Sequence, residues 1–306
     1  MIRIDSTAGE RIPEPSAVAL GFFDGVHLGH KAVISRAVDL KRERGLVPCV
    51  FTFSCSQSIP ISKRNQKLIA TEGSKERWIE QLGAEYLAVF NFDQVKEYSG
   101  EKFVSELLMG KLHAKALCCG EDFRFGKNAS GDVAALQALC RKENIDLYIV
   151  KKVLNEGIPV SSTRIRALIE SGEMESAAKL MGKCFSIDFE VIYGRQLGRR
   201  LDFPTINQVF ESSFVLPRFG VYATYTVVNG VEHPSVTNVG IKPTVGSEYP
   251  LAETYILNYE GNLYGQSVEV CFLKYLRPEI KFDDISALKR QIGLDIKSAE
   301  SFFAER

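Results

Sequence analysis

Several things are missing from this chain, and each absence narrows what it can be. No apolar run approaches the roughly 20 residues needed to span a bilayer, so a helical membrane protein is not expected. Met1 to Pro15 carry no apolar core of the kind a secretory signal peptide needs. An excess charge is missing too, because 38 basic residues balance 38 acidic ones. Wholesale binding to a nucleic-acid backbone is therefore not expected, and any basic footprint is local. Cys-x-x-Cys does not occur, and the seven cysteines are odd in number. The adjacent pair Cys118-Cys119 ends an apolar run, which reads as a buried strand. Free thiols in a reducing cytoplasm are expected in place of a disulfide scaffold. Internal repeats and low-complexity tracts are absent. Histidine is scarce, with four in all, and two of the four fall three residues apart.

What is present has two rhythms. At 306 residues the chain exceeds the usual size of one domain. Up to about residue 180, short apolar runs alternate with helical patterns. Strands are predicted at Ser16–Leu20, Val47–Phe53, Tyr86–Phe90, Ala114–Cys119 and Asp146–Lys151, and helices at His30–Arg44, Ser74–Gln81, Gly100–Leu112 and Asp132–Glu143. This alternation predicts a parallel sheet covered on both faces, with ligands beyond the carboxyl ends of its strands. From about residue 184 the pattern becomes strand-like at Phe185–Tyr193, Gly220–Val228, Glu232–Asn238, Glu253–Asn258 and Ser267–Leu276. Asn229-Gly230 is a hairpin signal, and Asp283–Arg306 reads as a closing helix. That half is expected to be an antiparallel sheet or small barrel with a C-terminal helix. The expected domains are 1–182 and 183–306.

Residues 20–30 read Leu-Gly-Phe-Phe-Asp-Gly-Val-His-Leu-Gly-His. An apolar run leads in and a long amphipathic segment leads out, which predicts a strand, a tight turn and a helix N-terminus. The first amides of a helix bind anions, and Gly21, Gly25 and Gly29 let backbone approach one. His27 and His30 can donate to phosphate oxygens as charge develops during transfer. Zinc is the competing reading of His-x-x-His, with Asp24 as a third ligand, yet no further Cys or His pair of suitable spacing accompanies it. Core histidines would leave the interleaved glycines unexplained.

Three further stretches stand out. Gly120–Gly131, Gly-Glu-Asp-Phe-Arg-Phe-Gly-Lys-Asn-Ala-Ser-Gly, is a polar loop at a strand end, either a connection or a site. Ser161-Ser-Thr-Arg-Ile-Arg166 opens a helix. It reads as an N-cap with solvated arginines or as a triphosphate site built on the same amides. Arg164 and Arg166 are two apart and do not share a helix face. Gly194-Arg-Gln-Leu-Gly-Arg-Arg-Leu-Asp-Phe-Pro-Thr-Ile-Asn207 is a basic, Gly-containing loop that is either solvated or holds phosphate.

Gly21–His30 closely resembles the first signature of the bacterial bifunctional riboflavin kinase/FMN adenylyltransferases, the FAD synthetases. It is more distantly similar to the cytidylyl- and adenylyltransferase superfamily. The resemblance implies a Rossmann-like nucleotidyltransferase domain followed by a β-barrel kinase domain, with riboflavin, FMN and ATP as substrates. It implies that His27 and His30 contact ATP phosphates, beside Gly21, Phe22, Phe23, Asp24 and Gly25. The Gly120 loop looks like the second signature, implicating Asp122 and Arg124 in the nucleotide and flavin pocket. Ser161–Arg166 resembles Ser-Ser-Thr-x-Ile-Arg, implicating Ser162, Thr163 and Arg166, with Arg164 at the variable position.

The loop after Gly194 is similar to the riboflavin kinase signature, in which a glycine loop precedes Gly-Phe-Pro-Thr-Ala-Asn. Gly194, Arg195 and Gly198 then fall at the ATP, and Thr205 and Asn207 at Mg²⁺ and the phosphates. Phe219–Tyr222 and Asn238–Gly246 also match kinase segments, and Glu253 falls at the family's catalytic carboxylate. The family usually shows Glu-Pro-His-Pro where Ser54-Cys55-Ser56-Gln57 stands here, in the adenylyltransferase half. Asp202 replaces a glycine and Ile206 an alanine. Two other readings follow: a paralogue with an impaired adenylyltransferase half, and a non-catalytic flavin or nucleotide sensor. Neither a nucleic acid nor a membrane is an expected partner, and self-association is left open.

Overall fold

The computed structural model describes residues 1–5, 11–54, 66–194, 203–241 and 249–305. Among them the chain divides into two compact units. One comprises Met1–Gln66 with Thr71–Ser161, the other Lys67–Ala70 with Ser162–Arg306.

The first unit is built on a six-stranded sheet in the order β1-β4-β3-β2-β5-β6, every neighbouring pair parallel. Its strands are β1 (Ile2–Asp5), β2 (Ser16–Leu20), β3 (Val47–Phe53), β4 (Tyr86–Phe90), β5 (Ala114–Gly120) and β6 (Asp146–Val150). The expected strands and the parallel sheet are therefore present. The sequence did not suggest β1, because only Ile4 of that edge strand is buried and a single apolar residue shows no period. Central β2, Ser-Ala-Val-Ala-Leu, is buried throughout, as a strand covered on both faces must be.

Helices α1 (Leu28–Arg44), α2 (Glu72–Gln81), α3 (Phe92–Val95), α4 (Gly100–Lys102) and α5 (Val133–Lys142) connect the strands. The helix expected over 100–112 widens to a π pitch over Phe103–Lys111. Its buried residues, Phe103, Val104, Leu107, Leu108 and then Leu112, recur every four to five positions, which suits that wider turn. A small exposed hairpin, β7 (Leu154–Asn155) and β8 (Ile158–Pro159), ends the unit.

The second unit begins with α6 (Ser162–Ser171) and α7 (Met174–Met181). The buried stripe of α7, Met174, Ala177, Leu180 and Met181, packs toward β9 (Phe185–Ile187) and β14 (Glu269–Arg277). Packing thus changes over at Ser161/Ser162, ahead of the expected 182/183. The sheet order is β10-β13-β12-β11-β14-β9, antiparallel throughout, with β10 (Thr205–Val209), β11 (Gly220–Val228), β12 (Val231–Gly240) and β13 (Leu251–Ile256).

The strand expected over Phe185–Tyr193 is instead bent. After β9, Glu190 bridges to Ser267 while Ile192 bridges to Asn207 on the opposite edge strand, so residues 190–192 stitch the sheet into a barrel. Inside it, Thr226 donates to Ser235, and Ser235, Thr224, Thr237 and Thr254 continue one buried hydroxyl chain. Each hydroxyl is thereby satisfied away from water.

The closing helix α8 (Ile285–Ala304) is capped by Asp284, which accepts from the Ala287 amide. Arg277 of β14 grips Asp295 of α8 through two bonds of 2.7 and 2.6 Å, and Gln291 adds a third at 3.0 Å. The two charged side chains are only 18% and 8% exposed. Asp295→Ala would strand the guanidinium, and breaking a buried pair from one side costs about 3–5 kcal/mol. Chemical denaturation of the full chain is expected to show a loss of that size, with Asp295→Asn losing less.

Six of the cysteines lie among the described residues and all are free thiols. Burial pushes Cys118 and Cys119 up to about 12, so they stay protonated and inert. Among the described residues no helix is long and apolar enough to cross a membrane.

Candidate active sites

In the first unit the chain steps from β2 to β3 and β4 on one side and later returns to β5 on the other. The switch point of the sheet therefore lies between β2 and β5, and ligands of such sheets bind beyond the carboxyl ends of the strands there. The loop after β2 is Gly21–His27, and the loop after β5 holds Asp122 and Arg124. The fold brings these two predicted stretches to one edge of one sheet.

The turn after β2 is tightly determined. Gly21 donates its amide to Phe51 O, and a Cβ on Gly21 would lie 2.7 Å from the Phe23 ring, so only glycine fits. Gly25 takes φ +78° at no steric penalty, but Phe23 at +53° and Val26 at +39° do not. Strain of that kind persists only where the surroundings over-determine it, and both side chains are fully buried. Asp24 is buried with them.

His27 then caps α1. Its backbone is extended, and its Nδ1 accepts from the His30 amide at 3.3 Å. That bond leaves the His27 proton on Nε2 in the neutral ring. The His27 and His30 rings stack at 3.6 Å between centroids, 16° from parallel, and Phe23 meets His30 edge-on at 5.4 Å. A Cβ on Gly29 would press on the His27 ring at 3.1 Å, so the helix start is bare where the imidazole lies. Two imidazoles on a helix N-terminus can address an anion together.

Asp122 is exposed and lies 3.6 Å from the Lys152 ammonium, and Arg124 is exposed nearby in sequence. Ser162, Thr163 and Arg166 open α6, which belongs to the second unit. There Arg166 is buried and its Nε donates to Lys67 O. Ser54, at the end of β3, is buried with its amide on Phe90 O, while Cys55–Gln57 lie outside the described residues.

In the second unit, Thr205 and Asn207 alternate on one face of β10. Cross-strand pairing sets Asn207 opposite Glu253 on β13, and Glu253 opposite Asn238 on β12. Paired side chains on one face are about 4.5–5.5 Å apart at Cβ. A hydroxyl, two carboxamides and a carboxylate therefore share a patch that the sequence spreads over residues 205–253. Gly194 lies against the patch, and a Cβ there would fall 2.6 Å from Asn207 Nδ2. Arg195, Gly198 and Asp202 lie outside the described residues. The hard oxygens of Thr205 and Asn207 fit the donor chemistry of Mg²⁺, whereas no group of three His, Cys, Asp or Glu that could hold a metal occurs among the described residues.

Asn238 opens a segment that the resemblance picked out, but its place opposite Glu253 shows only once β12 is paired with β13, and Lys75 escaped the sequence reading altogether. Lys75 sits in Glu-Gly-Ser-Lys-Glu-Arg, which reads as a solvated helix face, yet it is 2% exposed. No sequence signal would have found it.

A parallel α/β unit with a histidine-bearing turn at its switch point, joined to an antiparallel barrel with a carboxylate beside hard oxygen donors, defines a two-unit phosphoryl- and nucleotidyl-transfer protein. Residues 9–164 match the FAD synthetase family and residues 181–303 the riboflavin kinase family. Proteins described as bifunctional riboflavin kinase/FMN adenylyltransferase are similar over almost their whole length. The Listeria monocytogenes protein is 34% identical, covering 94% of this chain and 92% of its own, and the Bacillus subtilis protein is 33% identical, covering 94% and 93%. A crystal structure from Streptococcus pneumoniae, described as a macrolide-efflux protein, superposes with a TM-score of 0.85 at 27% identity, covering 98% of this chain and 99% of that one. The chain belongs to the bifunctional riboflavin kinase/FMN adenylyltransferase family.

Proposed function

We propose that this chain makes flavin nucleotides in two ATP-dependent steps, with the residues above as its working groups. Riboflavin is first phosphorylated to FMN, and AMP from a second ATP is then joined to FMN, giving FAD and pyrophosphate. The observation that carries the assignment of groups is the pairing of Asn207 with Glu253 and of Glu253 with Asn238 on one face of the barrel.

In the kinase step Glu253 orients the terminal ribityl hydroxyl and takes its proton as the oxygen bonds to the γ-phosphorus and the bond to ADP breaks. Thr205 and Asn207 would hold Mg²⁺ and the phosphates, and the bound ion would offset negative charge on the transferring group. Gly194 lies on the ATP side, and the ATP-binding role of Arg195 and Gly198, which lie outside the described residues, follows from the family resemblance.

In the second step an FMN phosphate oxygen bonds to the α-phosphorus and pyrophosphate leaves. His27 and His30 donate to the phosphate oxygens while charge develops, and the α1 amides add their dipole. Gly21–Gly25, Asp122 and Arg124 complete the nucleotide and flavin contacts of the first unit, and Ser162, Thr163 and Arg166 carry the phosphate-binding role that the family resemblance implies for the start of α6. We place the functional division at 182/183, just inside the start of the riboflavin kinase match and after the end of the FAD synthetase match, and the enzyme works in the cytoplasm, where ATP is supplied.

The test is to incubate the full chain with riboflavin, ATP and Mg²⁺ and to resolve the flavins by chromatography. Both FMN and FAD are expected, and neither forms without the metal. FMN without FAD, also when FMN is supplied, would indicate the paralogue with an impaired first unit. Tight flavin binding with no product would indicate a sensor.

A further inference from the structure

Lysine is almost never fully buried, because its ammonium loses its hydration. Lys75 of α2 is nonetheless among the largest fully buried side chains in the molecule. Its Nζ donates to Phe53 O at 3.1 Å and approaches Thr52 Oγ1 at 3.5 Å, both at the carboxyl end of β3. Thr52, itself fully buried, donates its only hydroxyl proton to Phe22 O at 2.9 Å. The Phe22 ring lies 5.5 Å from the same ammonium.

The directions in this relay are fixed. An ammonium has donors alone, so Thr52 accepts from it and must send its proton onward. The receiving carbonyl belongs to Phe22, immediately before Phe23, the first of the two strained non-glycine residues of the turn. Phe23 in turn packs edge-on against His30. A buried positive charge thus stands one hydroxyl away from the carbonyl at the head of the turn that carries both imidazoles.

We infer that Lys75 is a positioning residue for AMP transfer, acting through Thr52 and the Phe22 carbonyl on the His27–His30 turn. This rests on the adenylyltransferase reading of that turn. Being buried, Lys75 touches no substrate. It sets where the imidazoles stand when the α-phosphorus is attacked, and a displacement of about 1 Å can lower a rate some 10²-fold. Its loss should therefore lower kcat and leave substrate affinity nearly unchanged.

The test uses the full chain with Lys75→Met, Thr52→Val, Thr52→Ser and the Lys75→Met/Thr52→Val double variant. FAD formation from FMN and ATP is followed, with riboflavin phosphorylation in the same sample as the control. Lys75→Met keeps the apolar stem and removes the charge. It is expected to lower kcat for FAD about 10–100-fold, with KM for ATP and FMN within about threefold and the kinase rate unchanged. Thr52→Val should lower kcat about tenfold, and Thr52→Ser, which keeps the hydroxyl, should restore most of it. Because both act on one relay, the double variant should be no slower than Lys75→Met alone.

Wild-type kcat in Lys75→Met, effects that multiply in the double variant, or a loss appearing only in KM would overturn the inference. Should Lys75→Met not fold, Thr52→Val at the wild-type rate would overturn it equally. If the unaltered chain makes no FAD from FMN, the reading of the turn fails and the inference with it. An active chain indifferent to Lys75→Met removes the inference alone.

Discussion

Glu253→Gln is expected to lower riboflavin phosphorylation about 10²–10⁴-fold, the range over which a positioned general base contributes. The substitution keeps size and hydrogen-bonding reach and removes the capacity to take a proton, so β13 and its pairs to β10 and β12 stay formed. KM for ATP should change little, because Glu253 addresses the acceptor hydroxyl. FAD formation from supplied FMN should stay within twofold of the unaltered chain. Measuring both products in one sample checks this. An equal fall in FAD formation from FMN would contradict the assignment of Glu253 to the kinase step.

The mirror-image expectation concerns the two histidines. His30→Ala is expected to lower adenylylation of FMN about 10²–10³-fold, the size seen when one preorganised donor to a developing oxyanion is removed, while phosphorylation of riboflavin persists. His27 carries a second duty as the cap of α1, and a lost cap costs about 0.5–2 kcal/mol. His27→Asn and His27→Ala should therefore lose similar amounts of rate but differ in stability, because asparagine still caps a helix. Thermal unfolding compared with kcat separates the two duties. Equal stability of these variants would show that the 3.3 Å bond to the His30 amide contributes nothing to the helix.

Much of the fold was legible because its elements are locally consistent. The parallel strands are short apolar runs between helical patterns, and Asn229-Gly230 announces its hairpin. What failed to show has identifiable causes. β10 hid because Gln208, fully buried, stands where an apolar residue would mark the period; its amide nitrogen donates to Phe189 O and Val268 O. β1 hid because one buried residue makes no pattern. The bend after β9 hid because a strand that changes edges keeps its alternation.

The candidate sites divide the same way. The His27–His30 turn is contiguous and could be read directly, whereas the Asn207–Glu253–Asn238 row exists only through strand pairing. Without pairing, Glu253 could be singled out by resemblance alone. Lys75 lies at the far limit, since its environment is created entirely by the fold.

One short segment has consequences for how such a chain can be taken apart. Lys67–Ala70 lies early in the sequence but packs with the second unit: Leu68 donates to Ser213 O, and Val215 donates back to Leu68 O. The second unit is thus discontinuous in the chain. A fragment beginning at 183 would lack these four residues as well as α6 and α7, and so would shed surfaces on which β9 and β14 pack. No single scission yields two intact pieces, so a lineage that parcelled the two activities into separate polypeptides would have had to rebuild that missing edge.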